Sequence, residues 1–94
     1  MSGTKFEARL YRVRGRVQGV GYRNFAQQSG IRLGLTGWTR NLDDGGVAVF
    51  AQGPAKKLSE LEGLLSKGPH WSEVRGVESS VAAPENLRGF IIRH

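Results

Sequence analysis

Apolar and charged residues alternate along FEARLYRVR, Phe6 to Arg14, and a period of two predicts a β-strand. Phe6, Ala8 and Leu10 fall on one side of it and Tyr11 and Val13 on the other, so the pattern leaves the inward face open. From Tyr22 the period changes. Tyr22, Phe25, Ala26, Ser29 and Leu33 recur at helical spacing, and Gly34 is placed to end a helix running from Tyr22 to about Leu33. The β-rich stretches LTGWTRNL and VAVFAQ follow, separated by DDGG, which is turn chemistry for a hairpin. After Gly53, Pro54 suits the opening of a second helix, in which Leu58, Leu61, Leu64 and Leu65 form one apolar stripe closed by Gly68 and Pro69. VRGVESSV and LRGFIIR read as two closing strands.

The order is therefore βαββαβ with one extra C-terminal strand. This is the split βαβ pattern of the α+β, ferredoxin-like sandwich: an antiparallel-rich sheet with two helices on one face. No repeat, low-complexity stretch or linker interrupts it, so residues 1–94 are expected to form a single domain, with residues 1–5 as a loose tail.

Composition narrows the chemistry. The chain has 94 residues, 38% of them hydrophobic, enough for one core and one main site. With no cysteine it has no disulfide framework, no thiolate zinc site and no cysteine nucleophile. MSGTKFEARL lacks the apolar run of a signal peptide, and no stretch approaches the length of a membrane span, so the expected location is the cytoplasm; the absence of an extra apolar stripe makes a monomer the expected state. The 14 Lys and Arg outnumber the 8 Asp and Glu, for a net charge of +6. Arg9, Arg12, Arg14, Arg16 and Arg23 all precede residue 24, with Glu7 the only acid among them. Such a patch suits nucleic acid, an acidic partner or a small phosphorylated ligand, and it also suits a plain solvated face.

The run GRVQGVGYRNF, Gly15 to Phe25, joins the first strand to the first helix. Gly19 and Gly21 allow positive φ, so successive N–H groups can turn inward as a nest for an anion at the positive end of the helix. Arg23 is unusual there, because a cation in the first turn opposes the helix dipole, and the predicted helix contains no acid. A bound anion resolves the conflict, since the guanidinium fork can take two phosphate oxygens while loop amides take others. On glycine count alone the loop reads as a plain turn: Val20 stands where a Walker loop needs glycine, and Asn24 where a dinucleotide loop does.

GRVQGVGYR (Gly15–Arg23) resembles the first signature of the acylphosphatase family, and GWTRNLDDGGVAVFAQG (Gly37–Gly53) resembles its second, in the same order and on the matching elements. The similarity continues through Gly53-Pro54 to the closing GFIIR. It implies a ferredoxin-like fold and hydrolysis of carboxyl-phosphate mixed anhydrides to a carboxylate and inorganic phosphate, with neither metal nor cofactor. The family's phosphate-binding arginine falls on Arg23 and its water-positioning asparagine on Asn41. The phosphate loop would comprise Arg16, Val17, Gln18, Gly19, Val20, Gly21, Tyr22 and Arg23, with inorganic phosphate as product and competitive inhibitor. Thr39 departs from the family, which more often has a small apolar residue there. Apart from the resemblance, Asn41 reads as a turn asparagine before DDGG.

The remaining candidates carry less. Asp43 and Asp44 read as turn acids and not as metal ligands. His70 and His94 read as surface residues, and Trp38 and Trp71 as covers over core at a sheet or loop edge. The rival function is a ferredoxin-like RNA-binding module using the basic patch, since such modules share the βαββαβ order and RGFII echoes one of their strand motifs. It would need aromatics side by side on central strands, whereas Tyr11, Phe50 and Phe90 are scattered in sequence.

Overall fold

The computed structural model describes residues 5–94. Its elements are β1 (Phe6–Arg16), α1 (Tyr22–Arg32), β2 (Thr36–Asn41), β3 (Val47–Pro54), α2 (Ala55–Lys67), β4 (Glu73–Val81) and β5 (Phe90–Ile92). The five strands form one sheet in the order β4-β1-β3-β2-β5. All neighbours are antiparallel except β2 and β5, which run parallel with Trp38 opposite Ile91. This is the expected ferredoxin-like sheet, with the extra strand added beside β2. Of the predicted loose tail, residues 1–4 lie outside the described residues, and the carbonyl of Lys5 accepts a hydrogen bond of 2.8 Å from the Ala55 N–H.

The ambiguity of the first strand is resolved by both faces being covered. Tyr11 and Val13 join Val47, Val49 and Ala51 beneath the helices, where Leu58, Leu61 and Leu65 of α2 and Ala26 of α1 meet them. The α2 stripe is the stronger driver, because Leu58, Leu61 and Leu65 recur on one face and bury completely, while Leu64, the fourth leucine of the predicted stripe, is only half-buried. The buried face of α1 is made of small residues as well as Tyr22, and Gly30 lets the ring of Phe90 lie against the helix backbone. Two tyrosine hydroxyls anchor α2: Tyr11 donates to the Leu58 carbonyl at 3.1 Å and Tyr22 to the Leu65 carbonyl at 2.6 Å. Burial raises both phenol pKa values, that of Tyr11 to about 12 with Glu62 adding to the effect, so both are neutral donors.

The opposite face carries a smaller cluster of Ala8, Trp38, Ala48 and Phe50. Because β4 and β5 are the two sheet edges, the chain between them must cross this face, and Ala82 and Leu87 pack onto the cluster. Glu85 fastens the crossing. Its carboxylate accepts from the Trp38 indole N–H at 3.1 Å, and its backbone exchanges bonds of 2.6 and 2.9 Å with the Gln52 amide. Trp38 thus covers core as expected, stacked on Phe50 with ring centroids 5.8 Å apart. Trp71 does not: it is 80% exposed, has φ of 75°, and meets the edge of the His70 ring instead of the core. The turn after Gly68 directs the side chain outward, which an aromatic residue in a loop gives no local sign of.

Thr39, on the helix-facing side of β2 opposite Val49, is fully buried, and its Oγ1 has no hydrogen-bond partner among the described residues. A buried hydroxyl without a partner is a standing cost. Thr39→Val keeps the shape and removes the stranded group, so it should raise stability by about 1 kcal/mol with activity unchanged. A lower melting temperature for the variant would show that the hydroxyl has a partner, such as an ordered water.

Candidate active site

The loop from Val17 to Gly21 is built on its glycines, with φ of 78° at Gly19 and 79° at Gly21. A side chain at either position has open space but the wrong backbone, so strain and not crowding selects glycine there. Gly21 is the N-cap of α1 in the left-handed region and offers no side chain to cap the helix. The first helical bond runs from the Phe25 N–H to the Gly21 carbonyl, which leaves the N–H groups of Tyr22, Arg23 and Asn24 ahead of the ladder. No acid occupies the first turn. Unbonded N–H groups at the positive end of a helix dipole favour an anion.

A pocket of about 310 Å³ opens over this helix start, lined by Val17, Gly19, Gly21, Tyr22, Arg23, Asn24, Asn41, Ile92 and His94. Arg23 and Asn41, from separate elements, therefore face one space. Asn41 is the last residue of β2, exposed at the strand end. Arg23 is half-buried, and its Nη1 donates to the Arg93 carbonyl at 3.2 Å. The family model described as acylphosphatase matches residues 9–92, a span that contains both residues and the loop between β1 and α1.

The chain belongs to the acylphosphatase family. It is 61% identical over 87 residues to an acylphosphatase of Solibacter usitatus (strain Ellin6076), covering 93% of this chain and 91% of that one. To the acylphosphatase of Koribacter versatilis (strain Ellin345) it is 53% identical over 87 residues, covering 92% of this chain and 79% of that one. Its fold is similar to a solved acylphosphatase structure from Coxiella burnetii, with a TM-score of 0.91 at 29% identity over 99% of this chain and 100% of that one. A Bacillus subtilis acylphosphatase structure gives a TM-score of 0.88 at 33% identity over 96% and 100% of the two chains.

The acylphosphatase loop divides its residues between the pocket and its supports. Arg16 ends β1, paired with Glu73, and lines a different groove with Arg14 and Arg75. Val17 is buried and Val20 packs against the main core, while Tyr22 sends its ring into that core; only their main chains are free to serve the loop. Gln18 has another task. Its Nε2 donates to the Leu42 carbonyl at 2.8 Å and the Gly46 carbonyl at 2.7 Å, tying the loop to the β2–β3 hairpin just beyond Asn41. Both amide hydrogens are spent on carbonyls 24 and 28 residues away in sequence, a contact that no local signal announces. Gln18→Ala should cost about 1 to 3 kcal/mol of stability and weaken phosphate binding in the same variant. Lower stability with unchanged phosphate affinity would make the tie structural only.

His94 differs from expectation. It is exposed, as a surface residue should be, yet it lines the pocket with its Nδ1 3.5 Å from the Arg23 guanidinium. Gln27 of α1 holds the same closing segment through the Phe90 carbonyl at 2.9 Å. The acids of the hairpin are accounted for differently. Asp44 accepts from the Gly46 N–H at 2.9 Å and from Arg12 at 3.1 Å, and chiefly the Gly46 bond holds its carboxyl below the usual range. No group of three metal-ligating side chains occurs among the described residues.

Proposed function

We propose that the pocket hydrolyses carboxyl-phosphate mixed anhydrides by direct attack of water, without a metal ion, with Arg23 and the loop amides on the phosphoryl oxygens and Asn41 on the water. The observation that carries this is the convergence of an uncapped helix start, a guanidinium and a carboxamide on one small pocket. The water oxygen bonds to phosphorus, the bond from phosphorus to the acyl oxygen breaks, and the pair in that bond leaves on the carboxylate. Both water protons end on the inorganic phosphate. Because a carboxylate is a stable leaving group, positioning and charge neutralisation suffice, and an acid catalyst is not needed. Phosphate monoesters, with poorer leaving groups, should react far more slowly.

The test is turnover of benzoyl phosphate with and without a chelator. Equal rates are expected; loss of rate restored by magnesium would overturn the metal-free reading. Since His94 borders the pocket, direct attack by water also predicts that His94→Asn turns over and that no phosphorylated protein can be trapped. A phosphohistidine captured during turnover would replace water with His94 as nucleophile.

The same reading makes residues 5–94 one domain, supported by a single sheet whose helices share one core. It makes the chain a cytoplasmic monomer, and inorganic phosphate a competitive inhibitor as well as a product. No helix among the described residues is long and apolar enough to cross a membrane. The RNA-binding alternative gains no support: Trp38 and Phe50 do lie side by side, but they are only 8% and 2% exposed beneath the chain that crosses from β4 to β5.

A further inference from the structure

The closing segment sorts its side chains by face. Phe90 lies against Gly30 of α1, and Ile92 and His94 line the pocket over the helix start, so alternate residues face the helices. Arg93, between them, turns to the other face of the sheet, where its guanidinium lies 4.8 Å from the Trp38 ring centroid and that of Arg40 lies at 5.7 Å. His94 thus reaches the pocket on the side of Arg23 and Asn41. The segment is held there by the Arg93 N–H, bonded to the Thr39 carbonyl at 2.8 Å, and by Arg23 itself, whose Nη1 donates to the Arg93 carbonyl at 3.2 Å.

The contact with Arg23 constrains the imidazole. A guanidinium has hydrogens to give and no lone pair to offer, so His94 Nδ1, 3.5 Å from Nη1, can meet it only as an acceptor, and the proton of the neutral ring sits on Nε2. Protonation places a hydrogen on both ring nitrogens and a second positive charge against the guanidinium. Nothing in the pocket offsets it: among the described residues no Asp or Glu lines the space, Asn24 and Asn41 are neutral, and the Tyr22 hydroxyl is committed to the Leu65 carbonyl. The start of α1 adds its own positive end. An anion in the pocket reverses this balance, because its oxygens can accept from imidazolium and guanidinium together.

We infer that His94 is a second side-chain ligand for the oxyanion and binds it as the imidazolium, so that proton and anion are taken up together. The inference rests on the anion lying in the Arg23 pocket, as proposed above. Histidine is the side-chain type that changes charge between about pH 5 and 8, and His94 is the only histidine lining this pocket among the described residues. Sulfate is the probe, since it stays a dianion across that range whereas phosphate titrates within it. Titrated by calorimetry at fixed ionic strength, sulfate should bind wild type roughly twofold to fivefold more tightly at about pH 5.5 than at about pH 8, the scale of an exposed charge pair. By reciprocity, binding at about pH 7 should take up protons, read as a heat that changes with the ionisation enthalpy of the buffer. His94→Asn should hold sulfate at the weaker level at both pH values and take up no proton; folding is not at stake, because His94 is exposed. His70→Asn, whose ring lies against Trp71, should behave as wild type. Equal affinity at both pH values in wild type, or a pH dependence that survives in His94→Asn or disappears in His70→Asn, overturns the inference. Absence of sulfate binding to wild type at both pH values would instead overturn the placement of the anion site.

Discussion

Arg23→Ala is expected to abolish acyl phosphate hydrolysis and, with it, inhibition and stabilisation by inorganic phosphate. In the wild type, phosphate at roughly 100 times its dissociation constant should stabilise the fold by about 2.7 kcal/mol, read as a rise in melting temperature. The alanine variant should show no such rise. Arg23→Lys separates charge from geometry: the ammonium keeps the positive charge but loses the planar two-point fork, so it should bind phosphate weakly and hydrolyse poorly at unchanged net charge. Without ligand, the alanine variant should be nearly as stable as wild type, because two effects oppose. Losing a cation from the start of α1 is favourable, while losing the bond from Nη1 to the Arg93 carbonyl releases the end of β5 from the helix. Equal stabilisation of wild type and Arg23→Ala by phosphate would place the anion elsewhere than at this loop.

For Asn41→Ala the expected result is a fall in kcat of roughly 10² to 10³ with phosphate affinity largely kept. The carboxamide sits at the strand end, across the pocket from the helix start, and presents both an acceptor and a donor to a water. On the proposed assignment, truncation leaves the anion contacts in place and removes the group that orients the nucleophile. Because Asn41 is exposed at the end of its strand, the fold should tolerate the change, and a melting curve near wild type would confirm it. A folded variant with near-normal kcat would assign the water to another residue; a large rise in the phosphate inhibition constant would make Asn41 an anion ligand.

Much of this molecule is written locally. Period-two alternation marks β1, the leucine spacing of residues 58 to 65 marks α2, and the turn chemistry at Asp43 to Gly46 marks the hairpin, because these patterns follow from backbone geometry alone. The glycine loop leading into a helix that begins with Arg23 instead of an acid is equally local, but glycine count alone reads it as a turn, and the resemblance to the acylphosphatase family is what makes it a proposed anion site. The resemblance to the acylphosphatase family then adds Asn41, which on spacing alone passes for a turn residue. What the sequence leaves undecided are the relations between distant segments. Neither alternating face of β1 is marked as inner, because one packs under the helices and the other under the chain from β4 to β5. That crossing has no periodicity of its own, and its path is set by β4 and β5 ending up on opposite sheet edges. The Gln18 tie to the hairpin, His94 at the pocket and the Arg40–Arg93 pair over Trp38 all join residues far apart in sequence. A side chain's partners are chosen by tertiary packing, whereas the period that shapes an element is carried by its own residues, and this difference separates the half of the site that its residues announce from the half that only folding assembles.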